Sequence, residues 1–150
     1  MTDLMTGGCA CGRIRFTARD VAPGEAYLCH CRMCQRASGN VSLAMVNVKQ
    51  ADVVWEHEPD WYESSPIAKR PFCASCGTSL GFRFNEGSEW MDLTVAAFDD
   101  PSPFRPTSHF GAESINRPWL NTEGLPEQRS DDYQPLRERW EKAGARPPEA

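Results

Sequence analysis

Gly7-Gly8-Cys9-Ala10-Cys11-Gly12-Arg13-Ile14-Arg15-Phe16-Thr17 joins a pair of cysteines one residue apart to a run in which polar and apolar residues alternate. The alternation puts Ile14 and Phe16 on one face of a β-strand. Gly12 follows the second cysteine and tolerates the left-handed backbone that turns amide N–H groups back toward a metal-bound sulfur. Gly7 and Gly8 allow a close approach to the pair. A strand that starts from a metal-ligand turn predicts a β-rich chain whose core is supplemented by zinc.

Five more cysteines follow, as Cys29-x-Cys31-x-x-Cys34 and Cys73-x-x-Cys76-Gly77. Tetrahedral zinc takes four thiolates in a closed site, or three with a position left for a water, a thiolate or a substrate. Seven cysteines therefore divide as four and three. Cys29, Cys31 and Cys34 lie within six residues, so one loop can wrap three sulfurs around one side of an ion. Cys9 and Cys11 are far in sequence from Cys73 and Cys76, and joining them through a metal closes a long loop, where a cross-link removes most unfolded-state entropy. Spacing alone leaves open the pairing of Cys29 or Cys31 with Cys73 and Cys76. It also leaves open a single structural zinc with three spare cysteines. An odd count argues against a disulfide framework.

The N-terminus lacks the apolar segment of a signal peptide, and no run approaches the roughly 18 apolar residues of a membrane span. The expectation is a cytoplasmic protein with reduced thiols. A net charge of -5 and a pI near 5.2 give no general attraction to nucleic acid or anionic lipid. At 150 residues the chain fits one domain, expected over 1–150. Its 11 glycines, 12 prolines and mean hydropathy of -0.56 signal many turns.

The apolar runs are short, as strands are. Beyond Arg13 to Thr17, strands are expected at Ala26 to Cys29, Val41 to Val48, Val53 to Glu56, Leu80 to Phe84 and Met91 to Ala97. A short helical turn is expected from Arg32 to Ser38, stopped by Gly39 and Asn40. Four prolines make Asp99 to Leu120 extended or looped. The one convincing helix runs from about Asp132 to Ala143, with Pro135 in its first turn and Leu136 and Trp140 at i,i+4 spacing. Gly144 to Ala150 should fray.

Gly7-Gly8-Cys9-Ala10-Cys11-Gly12, Cys29-His30-Cys31-Arg32-Met33-Cys34-Gln35-Arg36, Phe72-Cys73-Ala74-Ser75-Cys76-Gly77, His109-Phe110, Arg117-Pro118-Trp119 and Gly124-Leu125-Pro126 together resemble the glutathione-dependent formaldehyde-activating enzyme family, which includes the centromere-protein-V-type proteins. The resemblance covers about Thr6 to Glu127. It implies an all-β fold with short helices, built as packed sheets around zinc and related to the B-type methionine sulfoxide reductases. It further implies structural zinc on Cys9, Cys11, Cys73 and Cys76, and catalytic zinc on Cys29, Cys31 and Cys34. The implied activity is that of a carbon–sulfur lyase, joining formaldehyde to glutathione as S-(hydroxymethyl)glutathione, with a small thiol as co-substrate. The partners so implied are a small thiol and an aldehyde, while oligomeric state stays open.

Arg32 and Arg36 flank the open-site cysteines and could pair with the two carboxylates of glutathione, or simply face solvent on a short helix. His30 is expected to orient a sulfur or pack, and His109 to be a strand residue. Trp55, Trp61, Trp90 and Trp119 are expected in the core. Two rival functions remain at this level: a zinc-binding scaffold whose second metal is also structural, and a thiol redox protein using Cys31 or Cys34.

Overall fold

The computed structural model describes residues 3–148, which fall into two compact units, one ending at Asn116 and the other beginning at Arg117. All ten strands and all seven cysteines among the described residues belong to the first. The architecture of that unit is all-β with short helices.

Three strands, β1 (Met5–Gly8), β2 (Arg15–Ala18) and β5 (Val53–Trp55), make an antiparallel sheet in the order β1-β2-β5. Seven more make the larger sheet. In spatial order they are β10 (Ser108–Phe110), β3 (Tyr27–Cys29), β4 (Leu43–Lys49), β9 (Trp90–Thr94), β8 (Gly81–Phe84), β7 (Ala68–Phe72) and β6 (Asp60–Ser65). Every neighbouring pair is antiparallel except β10 with β3.

The alternation leading into β2 holds in the structure. Ile14 and Phe16 are both fully buried, and Phe16 meets Trp55 and Phe98 edge-on at 5.4 and 5.2 Å between ring centroids. Val46, Val48, Met91 and Leu93, from the central strands β4 and β9, fill the same core. A side chain on Gly7 would collide with the Ala97 carbonyl oxygen and the Phe16 ring, each 2.4 Å from where a Cβ would stand, so the sequence carries glycine at this approach.

Several expectations shift. Expected strand ends move by one or two residues, as hydrogen-bonded boundaries do. The strand expected to run to Ala97 stops at Thr94, because the Phe98 N–H turns back to the Val95 carbonyl (3.1 Å) and closes a 3-10 turn. Strands β1, β6 and β7 are not among the expected ones, whereas β10 is the strand that holds His109, as expected of that residue. Lys69-Arg70-Pro71 carries no β signal, yet it sits inside β7 because its partners on both sides supply the pairing. The helical turn at Arg32–Ser38 is a full α-helix, α1, capped by Gly39 in the left-handed conformation (φ 66°). Trp90 and Trp119 are 41% and 69% exposed, so neither is core; Trp90 starts β9 at the margin of its sheet, where Lys49 covers one face of its ring.

The second unit contains α2 (Arg117–Leu120) and α3 (Gln134–Ala143). Pro135 opens α3 and Gly144 (φ 64°) ends it, as the sequence suggested, with Leu136 and Trp140 half-buried along it. The fraying expected from Gly144 onward extends to Glu149 and Ala150, which lie outside the described residues.

Candidate metal centres and an adjoining cavity

The sulfurs of Cys9, Cys11, Cys73 and Cys76 all lie within 4.8 Å of one another. Cys9 and Cys11 occupy the turn between β1 and β2, and Cys73 and Cys76 the turn between β7 and β8. The cluster therefore brings a hairpin of the small sheet against a hairpin of the large one. Both turns have the same build. The Gly12 N–H bonds to the Cys9 carbonyl (3.1 Å) and the Gly77 N–H to the Cys73 carbonyl (2.7 Å), with both glycines at φ 80°. The Ile14 amide donates to Cys9 Sγ (3.3 Å), and Arg13 to Cys73 Sγ (3.6 Å) while pairing with Asp60. Thr78 lies 3.2 Å from Cys76 Sγ and, with its backbone, holds that thiol down at about 5.

Cys29, Cys31 and Cys34 form the second cluster, also within 4.8 Å. Cys29 ends β3, Cys31 caps α1 by accepting the Cys34 amide (3.4 Å), and Cys34 is buried in the first turn of that helix. Strand β10 buttresses the loop. The His30 amide donates to the Phe110 carbonyl (2.8 Å), and Gly111 (φ 66°) lies so close that a Cβ there would stand 2.7 Å from the Cys31 nitrogen. A thiol hydrogen bond from Cys29, and then the Arg70 guanidinium, hold Cys34 down at about 5 against its burial. Cys29 is pushed up, by its hydrogen bond to Cys34 and by burial.

Both donor sets fit zinc. Tetrahedral thiolates at about 2.3 Å from the ion stand roughly 3.8 Å apart. Neighbouring sulfurs here are 3.5 Å apart (Cys9 to Cys11 and Cys29 to Cys31) and 3.7 Å apart (Cys11 to Cys73).

The three-cysteine cluster opens on a cavity of about 540 Å³ over one face of the large sheet. Its wall follows the sheet register, with Tyr27 opposite Met45 and Phe82 opposite Asp92. Arg70 is 1% exposed, stacks on the Phe82 ring at 5.1 Å and donates to Cys34 Sγ at 3.3 Å. Asp92 accepts from Asn47 (3.1 Å), and burial raises its pKa. His30 is fully buried and its Nε2 lies 2.8 Å from Nδ1 of His109, which reaches the cavity wall.

Arg32 and Arg36 lie on the exposed side of α1, and neither lines this cavity; Arg32 bonds to Gln35 of its own helix. Sequence reasoning missed Arg70, Tyr27 and Asp92. Arg70 stands next to Lys69 in a segment with no β signal. The usable signal was its alternation with Ala68, two residues back on the same face of β7.

Asp92→Asn is expected to gain melting temperature over the parent as pH rises. A folded pKa above the ordinary 3.8 means that the carboxyl's contribution is present below that value and is lost as pH climbs through the raised one. Paired thermal melts between pH 4 and 7 measure this, and a flat difference would show Asp92 to be solvated.

Residues 4–114 match the family model described as glutathione-dependent formaldehyde-activating enzyme. That match ends before Arg117-Pro118-Trp119 and Gly124-Leu125-Pro126. An uncharacterized lyase of Schizosaccharomyces pombe is 31% identical over 81 residues, covering 54% of this chain and 58% of that protein's length. A Halomonas elongata protein, provisionally named a glutathione-dependent formaldehyde-activating enzyme, is 26% identical over 136 residues, 84% of this chain and 85% of its own. A Rhodobacter sphaeroides protein of known crystal structure superimposes with a TM-score of 0.57 at 19% identity, over 70% of this chain and 99% of that one, a likeness of fold. Among the described residues no helix is long and apolar enough to cross a membrane.

Proposed function

The chain belongs to the glutathione-dependent formaldehyde-activating enzyme family, and on that premise we propose that it is a zinc-dependent carbon–sulfur lyase or synthase acting on adducts of small thiols. The observation that carries this reading is the convergence of Cys29, Cys31 and Cys34 at the edge of a cavity, three sulfurs where a closed site has four. On this reading Cys9, Cys11, Cys73 and Cys76 hold structural zinc, and Cys29, Cys31 and Cys34 hold catalytic zinc. Zinc held by Cys29, Cys31 and Cys34 would keep a substrate thiol deprotonated, and the three thiolates already on it would leave that sulfur electron-rich and nucleophilic.

The chain's own residues do the rest. His109, backed by buried His30, would take the proton that an incoming thiol releases. As the sulfur–carbon bond forms, the carbonyl electron pair moves onto oxygen, and that oxygen takes a proton in place of the one lost by the thiol. The reverse step breaks the same bond. Arg70 fixes Cys34, and the apolar wall limits water. Formaldehyde and glutathione, the pair in the family's name, are the first substrates to try. The reading includes a reducing, cytoplasmic setting, which suits seven cysteines outside any disulfide, and kinship with the B-type methionine sulfoxide reductases, which suits sheets joined at cysteine turns.

Elemental analysis of the purified chain should give two zinc ions, one of which leaves first under mild chelation because its ligand set is incomplete. Cobalt in the labile site should change its absorption bands when glutathione or another small thiol is added. A second metal that never binds, or bands indifferent to a broad thiol panel, would replace this reading with a non-catalytic zinc module.

A further inference from the structure

The cavity beside the three cysteines has a composition at odds with a tripeptide carrying two carboxylates. Met45 and Phe82 line its inner part, while Met33 (50% exposed), Ile67 (65%), Phe84 (46%) and Phe110 (66%) form an apolar rim. Arg70 is the one lysine or arginine among the lining residues: one nitrogen donates to Cys34, the plane lies on the Phe82 ring, and Nε and Nη1 are buried without a hydrogen-bond partner beside Asp92, so it could meet at most one of the two carboxylates. Asp92 adds a carboxylate to the same wall and would repel another. Arg32 stands outside it, and Arg36 lines a separate, smaller cavity on the far side of Met33 and Arg70 rather than this one.

Desolvating an anion without a partner is costly, whereas burying an apolar group is favourable in proportion to area. The aromatic rim suits a ring. Phe82 and Phe84 stand edge-on at 5.1 Å, and Tyr27 and Phe110 at 6.4 Å, so the two pairs present ring edges and faces from β8 on one side and from β3 and β10 on the other. About 540 Å³ is far more than formaldehyde fills and lies within the usual range for drug-sized ligands.

Resting on the thiol-adduct reading above, we infer that the thiol or adduct this site takes carries an apolar group of aromatic-ring size on its sulfur-bearing carbon, seated among Met33, Ile67, Phe82, Phe84 and Phe110. The sulfur lies at Cys29, Cys31 and Cys34, and the charged parts of any larger thiol stay in solvent.

The test titrates the zinc- or cobalt-loaded chain with three probes, phenylmethanethiol, 2-mercaptoethanol and glutathione, by calorimetry and by the cobalt bands. Phenylmethanethiol should bind about tenfold or more tighter than either of the others, the gain expected for burying a ring. Ile67→Asp, on an exposed turn where it does not threaten the fold, should cut phenylmethanethiol affinity several-fold more than that of 2-mercaptoethanol, and Phe110→Ser should do the same. Equal affinity for all three, or tighter binding of glutathione, would overturn the inference while leaving the thiol chemistry standing. Indifference to every thiol would remove both. A concentration-dependent dimer split by Ile67→Asp, with no preference among thiols, would assign the apolar rim to a second copy of the chain and overturn the inference.

Discussion

Cys73→Ser is expected to unfold the chain at ambient temperature. Cys73 is fully buried, and its sulfur stands 3.7 Å from Cys11 across a loop that joins the small sheet to the large one. Metal held there contributes to folding directly, at about 10 kcal/mol or more in small zinc domains. That is comparable with the entire net stability of about 5–15 kcal/mol of a typical domain. Serine lacks the thiolate, and the Arg13 guanidinium that donates to Cys73 Sγ is left with a shorter, neutral hydroxyl as acceptor. Circular dichroism should show loss of β signal, and adding zinc should not restore it. A variant that melts within a few degrees of the parent, with one metal fewer, would show that the two sheets hold together through their shared core alone.

Cys31→Ser should do the reverse, leaving the fold and removing the chemistry. Cys31 is half-buried, and the two sulfurs clustered with its own belong to the same loop, so its sulfur ties no distant segments together. Its structural duty is to cap α1 by accepting the Cys34 amide, and serine is among the favoured residues for that duty. The expected result is a melting temperature near that of the parent, one zinc per chain in place of two, and complete loss of the cobalt response to thiols. Elemental analysis and a thermal melt decide it together. Equal destabilisation by Cys31→Ser and Cys73→Ser would mean that both clusters are structural and that the zinc-module reading is the better one.

Much of this was legible in the chain because its signals are local. Cys-x-Cys-Gly and Cys-x-x-Cys-Gly encode turns whose geometry needs no distant partner, and the left-handed Gly12 and Gly77 occur where the spacing required them. Ile14 and Phe16 alternate into the core, and Arg32–Ser38 starts and stops at its capping residues. The grouping of seven cysteines as four and three also came from spacing, with the geometry selecting among the pairings that spacing left open.

Arg70, Asp92 and Tyr27 were not legible, since each became part of the cavity wall through strand register. Tyr27 faces Met45, Asp92 faces Phe82, and Arg70 lies on a strand that its own residues do not favour. Arg32 and Arg36 neighbour the cysteines in sequence, yet a helix turns adjacent residues about 100° apart. Cys34 faces inward and the two arginines outward. The sequence by itself determined which atoms can bind metal, because chelation by residues two or three apart is a property of a short turn. Only the tertiary structure decided what surrounds that metal, because burial of a charged or aromatic side chain depends on which strands pair with its own.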